Sequence, residues 1–321
     1  MLLAGTEDGL YQLPGVTDAE TGTAERVLDA GAVMRVRQFA GLDGVFAATD
    51  AGLYHSSDGR QWTDLGVPEA AVYSIGAGPE GRLFAGTRPA RVYTAMTDAD
   101  DPTSELEWRE LDGFQALPSR EEWRLPRHEN LAQVRDLHVH PEAADRIVAG
   151  VEVGGVHVSE DGGDTWTERR EGVDDDVHEL HVVDRDEFVA ATGFGLFRTT
   201  DAGRSWTRLD EGHEQRYFRS VFSADGAVYA GAALAHTATW EDEDADPALF
   251  ACRDGETLEP VDHPRPDETI TGLTTADGTV VAGTHRGTVL AQRHDGWVVA
   301  GSIPAVDGFA GSYTPLSWVD R

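Results

Sequence analysis

A short apolar run ending in Ala-Gly-Thr or a near variant, followed by a glycine and a further apolar pair, recurs seven times along the 321 residues. The copies are Leu2–Thr6, Val45–Thr49, Leu83–Thr87, Ile147–Val151, Phe188–Thr192, Val228–Ala232 and Val280–Thr284, spaced 43, 38, 64, 41, 40 and 52 residues apart. A unit this short cannot bury its apolar face alone, so its copies must stack on one another. A mean spacing of about 46 residues is the length of a four-stranded propeller blade. Each unit supports that reading with an apolar-alternating strand, a turn, the Ala-Gly-Thr strand, a turn at glycine, a third strand, a polar turn and a last strand. In the fifth unit these are Val177–Val182, Phe188–Thr192, Gly195–Arg198 and Trp206–Leu209. No stretch keeps helical periodicity over three turns.

The expected fold is therefore all-β, a seven-bladed β-propeller forming one domain over 1–321. Its ends suit ring closure: the chain starts directly in an Ala-Gly-Thr strand, and Tyr313–Trp318 has no such partner after it. The C-terminal strand is expected to complete the N-terminal blade and remove the open edge. The two long spacings mark insertions at about 115–133 and 234–247.

Charge narrows the function classes. There are 26 basic and 58 acidic side chains, a net charge of −32, and every basic residue is arginine. A polyanion or an anionic bilayer would be repelled, which argues against nucleic-acid and membrane partners. Acids spread over the whole length of a lysine-free chain resemble the haloarchaeal composition of salt-in organisms, whose proteins stay hydrated where surface charge is screened. Cys252 has no partner for a disulfide, no run approaches a membrane span, and the N-terminus lacks a charged and apolar leader, so a cytoplasmic setting is expected.

The polar turns carry a recognisable motif. Ser159-Glu160-Asp161-Gly162-Gly163-Asp164-Thr165-Trp166 matches S-x-D-x-G-x-T-W, and Thr199-Thr200-Asp201-Ala202-Gly203-Arg204-Ser205-Trp206 is a close second copy. His55–Trp62 reads as a degenerate copy with serine at the Asp position, and Arg253–Thr257 and His294–Trp297 read as shortened relics. The chain thus resembles the Asp-box, or BNR repeat, propellers, which include sialidases, xyloglucan-type glucanases, photosystem assembly factors and sorting-receptor ectodomains. The resemblance places the boxes on the outer rim, with Asp161 and Asp201 capping turns. Ala149–Gly155 with Asp176-Val177-His178 also resembles a prokaryotic Asp-box group labelled as glycosyl hydrolases or exo-sialidases.

A ligand site is expected at the mouth of the central channel. Aligned inner strands put Arg135, His178 and Arg219 in one column with Tyr73, Thr271 and Thr314; Arg35 or Arg37 belongs to the same ring. Such a ring in an acidic protein is suited to attracting an anion, or else to pairing with carboxylates of the same channel. Trp123 and Arg124 in the first insertion and Trp240 in the second are candidate ligand contacts, the tryptophans either stacking on a ring or burying their own loops. Glu152 and Asp176 with His178 are the candidate acid/base set. Tyr217, beside Arg219, is a conceivable sialidase-like nucleophile, but the early Arg-Ile-Pro element of sialidases is absent, and the xyloglucan-type enzymes use two propellers where this chain has one. His138 and His140 share a strand face while His178 and His181 do not, so no metal site and no cofactor are expected. The favoured function is a non-enzymatic scaffold binding a small anionic or carbohydrate ligand, or a protein partner. A glycosidase of exo-sialidase type is the alternative.

Overall fold

The Ala-Gly-Thr strands form because their small residues let inner strands of neighbouring blades approach. A Cβ on Gly231 would lie 2.3 Å from the Ile270 carbonyl, and one on Gly86 would meet Ser74 and Val134 at 2.3 and 2.7 Å. Built on these contacts, the computed structural model, which describes residues 1–18, 22–98, 102–103, 106–140, 142–305 and 313–319, is a seven-bladed propeller of seven four-stranded antiparallel sheets. The inner strands of blades 2 to 7 are Val33–Arg37, Val72–Ala77, Gln133–His140, Val177–Val182, Tyr217–Ala224 and Ile270–Ala276. In blade 1 the inner strand is Leu316–Trp318, paired with the N-terminal strand Leu2–Thr6 in the register Leu2–Trp318, Leu3–Ser317 and Ala4–Leu316. The Met1 amine extends the join by donating to the Val319 carbonyl at 2.8 Å. This closure removes the edge an open ring would expose.

The core lies between blades rather than within them. One cluster takes Phe84 and Val92 from blade 3 and Val134, Leu137, Ile147 and Ala149 from blade 4. Another joins Leu2, Ala4 and Leu13 of blade 1 to Val281, Val289 and Ala291 of blade 7. Each fully buried Phe, Leu or Val contributes about 1.5–3 kcal/mol, so every blade depends on its neighbours.

Four hairpin turns between third and outer strands share one capping scheme. Asp161 accepts from the Thr165 amide at 2.9 Å and the Thr165 hydroxyl at 2.6 Å, while Ser159 closes the turn on the Gly163 amide. Asp201 repeats this with Ser205, and although burial alone would raise it, these hydrogen bonds hold its carboxyl at about 2. The third turn corrects the sequence alignment. Asp58, not a serine, caps the amides of Arg60 and Gln61 at 2.8 Å each, because the loop is one residue shorter than the full motif. Asp254 caps Glu256 and Thr257 in the same way. These aspartates are committed to local backbone donors, which explains their sequence spacing without any chemistry.

The first insertion contains a helical turn, Asp112–Gln115, and two 3-10 turns, Arg120–Glu122 and Pro126–His128. The second contains one, Thr237–Thr239. No helix among the described residues is long and apolar enough to cross a membrane.

Candidate functional site

Blades 2 to 7 break register at the same place in the inner strand, leaving one residue out of the ladder: Met34, Tyr73, Arg135, His178, Arg219 and Thr271. Such a bulge turns two successive side chains toward the channel instead of one. The aligned column is thus a column of bulge residues, with Thr314 beside Thr271 at 2.7 Å completing it from blade 1. In blade 2 its member is Met34, so neither Arg35 nor Arg37 belongs to it. The arginines follow the bulge and sit two residues apart on one face.

At the mouth, where the inner strands begin, a cavity of about 590 Å³ is walled by Tyr73, Arg135, Glu152, Tyr217 and Arg219. The insertions reach it through His128 and Gln133 on one side and His236, Thr237 and Ala238 on the other. Its floor is Tyr313, whose ring lies 3.6 Å from the guanidinium carbons of both Arg135 and Arg219 and whose hydroxyl donates to the His178 carbonyl at 3.1 Å. Burial pushes the Tyr313 phenol well above its usual range even with two cations beside it, so it stays protonated. Arg219 is buried too, but the nearby Tyr313, Tyr217, Glu152 and Asp176 raise its pKa and keep its charge.

The acid/base candidates meet, though not in a shared open site. Glu152 and Asp176 face each other across a backbone bridge between blades 4 and 5. The Glu152 carboxylate is 1% exposed, accepts from Gln133 Nε2 at 2.6 Å and forms an ion pair with Arg135 Nε at 2.9 Å. His178 has its Nδ1 on the Phe218 carbonyl at 2.7 Å, so Nδ1 carries the proton, and its Nε2 stands 3.5 Å from Asp176 Oδ2. The His178 ring is fully buried, 4.5 Å from the Tyr217 ring, and does not line the cavity.

Three of the expected ligand contacts do not line this cavity. Trp123 is 3% exposed, packed against Phe114 and His157, with its indole N–H donating to Ser119. Trp240 is 1% exposed, donates to the Ala235 carbonyl and meets the Tyr217 ring edge-on. Each buries its own loop, because an indole is the largest apolar surface an insertion can hide. Arg124 is exposed and lies outside the cavity lining.

Sequence reasoning missed the residues after the bulges. Asp136 is buried and accepts from Arg35 at 3.2 Å, Arg37 at 2.6 Å and the Leu180 amide at 3.1 Å. Glu179 pairs with Arg35 and accepts from the Val221 amide at 2.9 Å. Ser74 and Ser220 reach the next blade's Val134 and Ile270 carbonyls. Burial opposes the Asp136 charge, but Arg35 and Arg37 hold its carboxyl well below the usual range. The signal was adjacency: each lies directly after a column residue that the alignment had already found.

Among the described residues no three His, Cys, Asp or Glu side chains gather as metal ligands. No family model matches the chain, and no curated protein matches it in sequence. Solved structures do. The GH74 xyloglucanase from Xanthomonas campestris is similar over 90% of this chain and 46% of its own length, at a TM-score of 0.60 and 15% identity. YCF48 bound to D1 peptide is similar over 83% of this chain and 81% of its own, at 0.58 and 15%. The WD40 propeller domain of Doa1 is similar over 85% and 83%, at 0.58 and 14%. The chain spans under half the length of the GH74 chains it matches. Likeness at this identity is one of fold, and the fold is that of a seven-bladed β-propeller.

Proposed function

We propose that the chain is a binding propeller whose channel mouth takes a small ligand bearing an anionic group. Arg219 carries this reading, as a buried cation fixed on the Tyr313 ring at the base of a preformed cavity. Arg135, ion-paired with Glu152, lies on the other side of the same ring. Tyr73, Tyr217, His128 and His236 add polar groups round the rim, where Glu7 also stands. The same reading places the chain among Asp-box propellers of salt-in cells, in the cytoplasm, on its four capped turns and its lysine-free acidity.

A glycosidase is the second reading, favoured by the backbone bridge that sets Glu152 beside Asp176. Against it, a carboxylate held by Gln133 and Arg135 is poorly placed to exchange protons. A protein partner enters as a peptide, as in the similar propeller that holds one.

Thermal midpoints in molar KCl with phosphate, acetate, N-acetylneuraminate and an acidic peptide test the binding reading. A stabilisation by one of these in the wild type, lost in Arg219→Met, is the expected result; equal responses in both chains would sink it. Chromogenic glycosides assayed alongside decide the alternative, which requires turnover that disappears in Glu152→Gln and His178→Ala.

A further inference from the structure

Beyond Tyr313 the channel opens at its other end into a second cavity, of about 670 Å³, that the mouth does not share except for that one ring. Two arginines line it, and both are already matched: Arg35 by Asp136 and Glu179, Arg37 by Asp136. Its two histidines are neutral near pH 7. Burial, with Arg37 nearby, presses His181 down to about 3, and burial with Arg37 lowers His138 as well. An anionic guest would therefore meet no unmatched cation here, its desolvation would go uncompensated, and Asp277 in the same lining, whose carboxylate accepts from the Trp318 indole N–H at 3.2 Å, would repel it.

What the cavity does offer is neutral hydrogen bonding beside apolar faces. His138 Nε2 donates to the Leu180 carbonyl at 2.6 Å, which leaves Nδ1 as an acceptor. His181 Nε2 accepts from the Ser223 amide at 3.2 Å, which puts the proton on Nδ1 as a donor. The half-buried rings of Phe39, Phe222 and Trp318 stand along the wall, and Gln38 lies exposed at the rim.

We infer that this far-end cavity is a binding site for an uncharged saccharide unit. A sugar ring presents hydroxyls that both donate and accept around C–H faces that pack on aromatic rings, and it brings no charge to be matched. The proposal is independent of the anion reading, because it uses the opposite end of the channel.

Calorimetric titration in molar KCl with glucose, galactose, mannose, xylose, maltose and cellobiose tests it, with glucuronate and glucosamine as charged controls. One or more neutral sugars should bind one to one, with affinity at least tenfold weaker in Phe222→Leu, which keeps apolar volume but loses the ring face, and in Gln38→Ala at the exposed rim. Binding should be unchanged in the mouth variants Arg219→Met and His236→Ala. No binding by any neutral sugar overturns the inference, as does tighter binding of a charged control. Loss in the mouth variants instead of Phe222→Leu would move the sugar to the mouth and equally overturn it.

Discussion

Asp136 shows how one side chain can hold a ring together. It follows a bulge, so it points inward beside Arg135, and it joins blade 4 to Arg35 and Arg37 of blade 2 and to the Leu180 amide of blade 5. Removing its charge leaves Arg37 without its carboxylate and Arg35 with Glu179 alone. Asp136→Asn should cost about 3–5 kcal/mol of unfolding free energy in urea titrations, whereas an effect under about 1 kcal/mol would mean the arginines find other acceptors. His157 makes a different kind of residue-scale prediction. It is buried against Phe114 and Trp123, and burial lowers it to about 4 although the Gly154 carbonyl accepts from its Nε2. A folded value below the ordinary 6.5 means that unfolding takes up a proton between these limits. Its stabilising contribution is full above 6.5 and is lost as pH falls toward about 4, at about 1.4 kcal/mol per pH unit where the proton is fully taken up. Stability measured from pH 7 to 4 should fall less steeply in His157→Leu than in the wild type.

At the scale of elements, the bulge repeated in blades 2 to 7 decides what faces the channel. It doubles the inward side chains per strand, one set stacking round Tyr313 and the next fastening to the neighbouring blade. The closing strand is the other decisive element. With only three ladder pairs, Leu316–Trp318 seals blade 1 and carries Tyr313 and Thr314 into the ring. Deleting 313–321 should lower the thermal midpoint by several degrees and expose the Leu2–Thr6 edge, so that light scattering detects association. A truncated chain that stays monomeric with an unchanged midpoint would contradict this account of closure. The insertions behave as packed elements rather than free lids. Trp123 and Trp240 anchor them, and His128 and Gln133 after the first anchor and His236–Ala238 before the second reach the mouth.

For the molecule as a whole, a charge of −32 on 321 residues sets a repulsion that the compact state must bear. Many of the acids are unpaired with arginine, since there are 58 against 26. Screening should relieve that repulsion. The thermal midpoint is expected to rise steadily between about 0.1 M and about 2 M KCl as the Debye length shrinks below the spacing of surface charges. A midpoint that is flat across that range would remove the case for a salt-adapted surface.

The amino-acid sequence by itself determined the number of blades, the strand grammar and the closure, because ring formation depends on local features. These are a small-residue pair where blades touch, a capped turn where strands reverse, and an unpartnered strand at each end. It also placed Arg135, His178 and Arg219 in one column, since a shared bulge keeps them in step. Tertiary structure alone decided which charges survive as a site. Pairing of Glu152 with Arg135, burial of the two tryptophans and the clamping of Tyr313 between guanidiniums bring together residues from separate blades. No spacing in one strand encodes a distance across the channel, which exists only once the ring has closed.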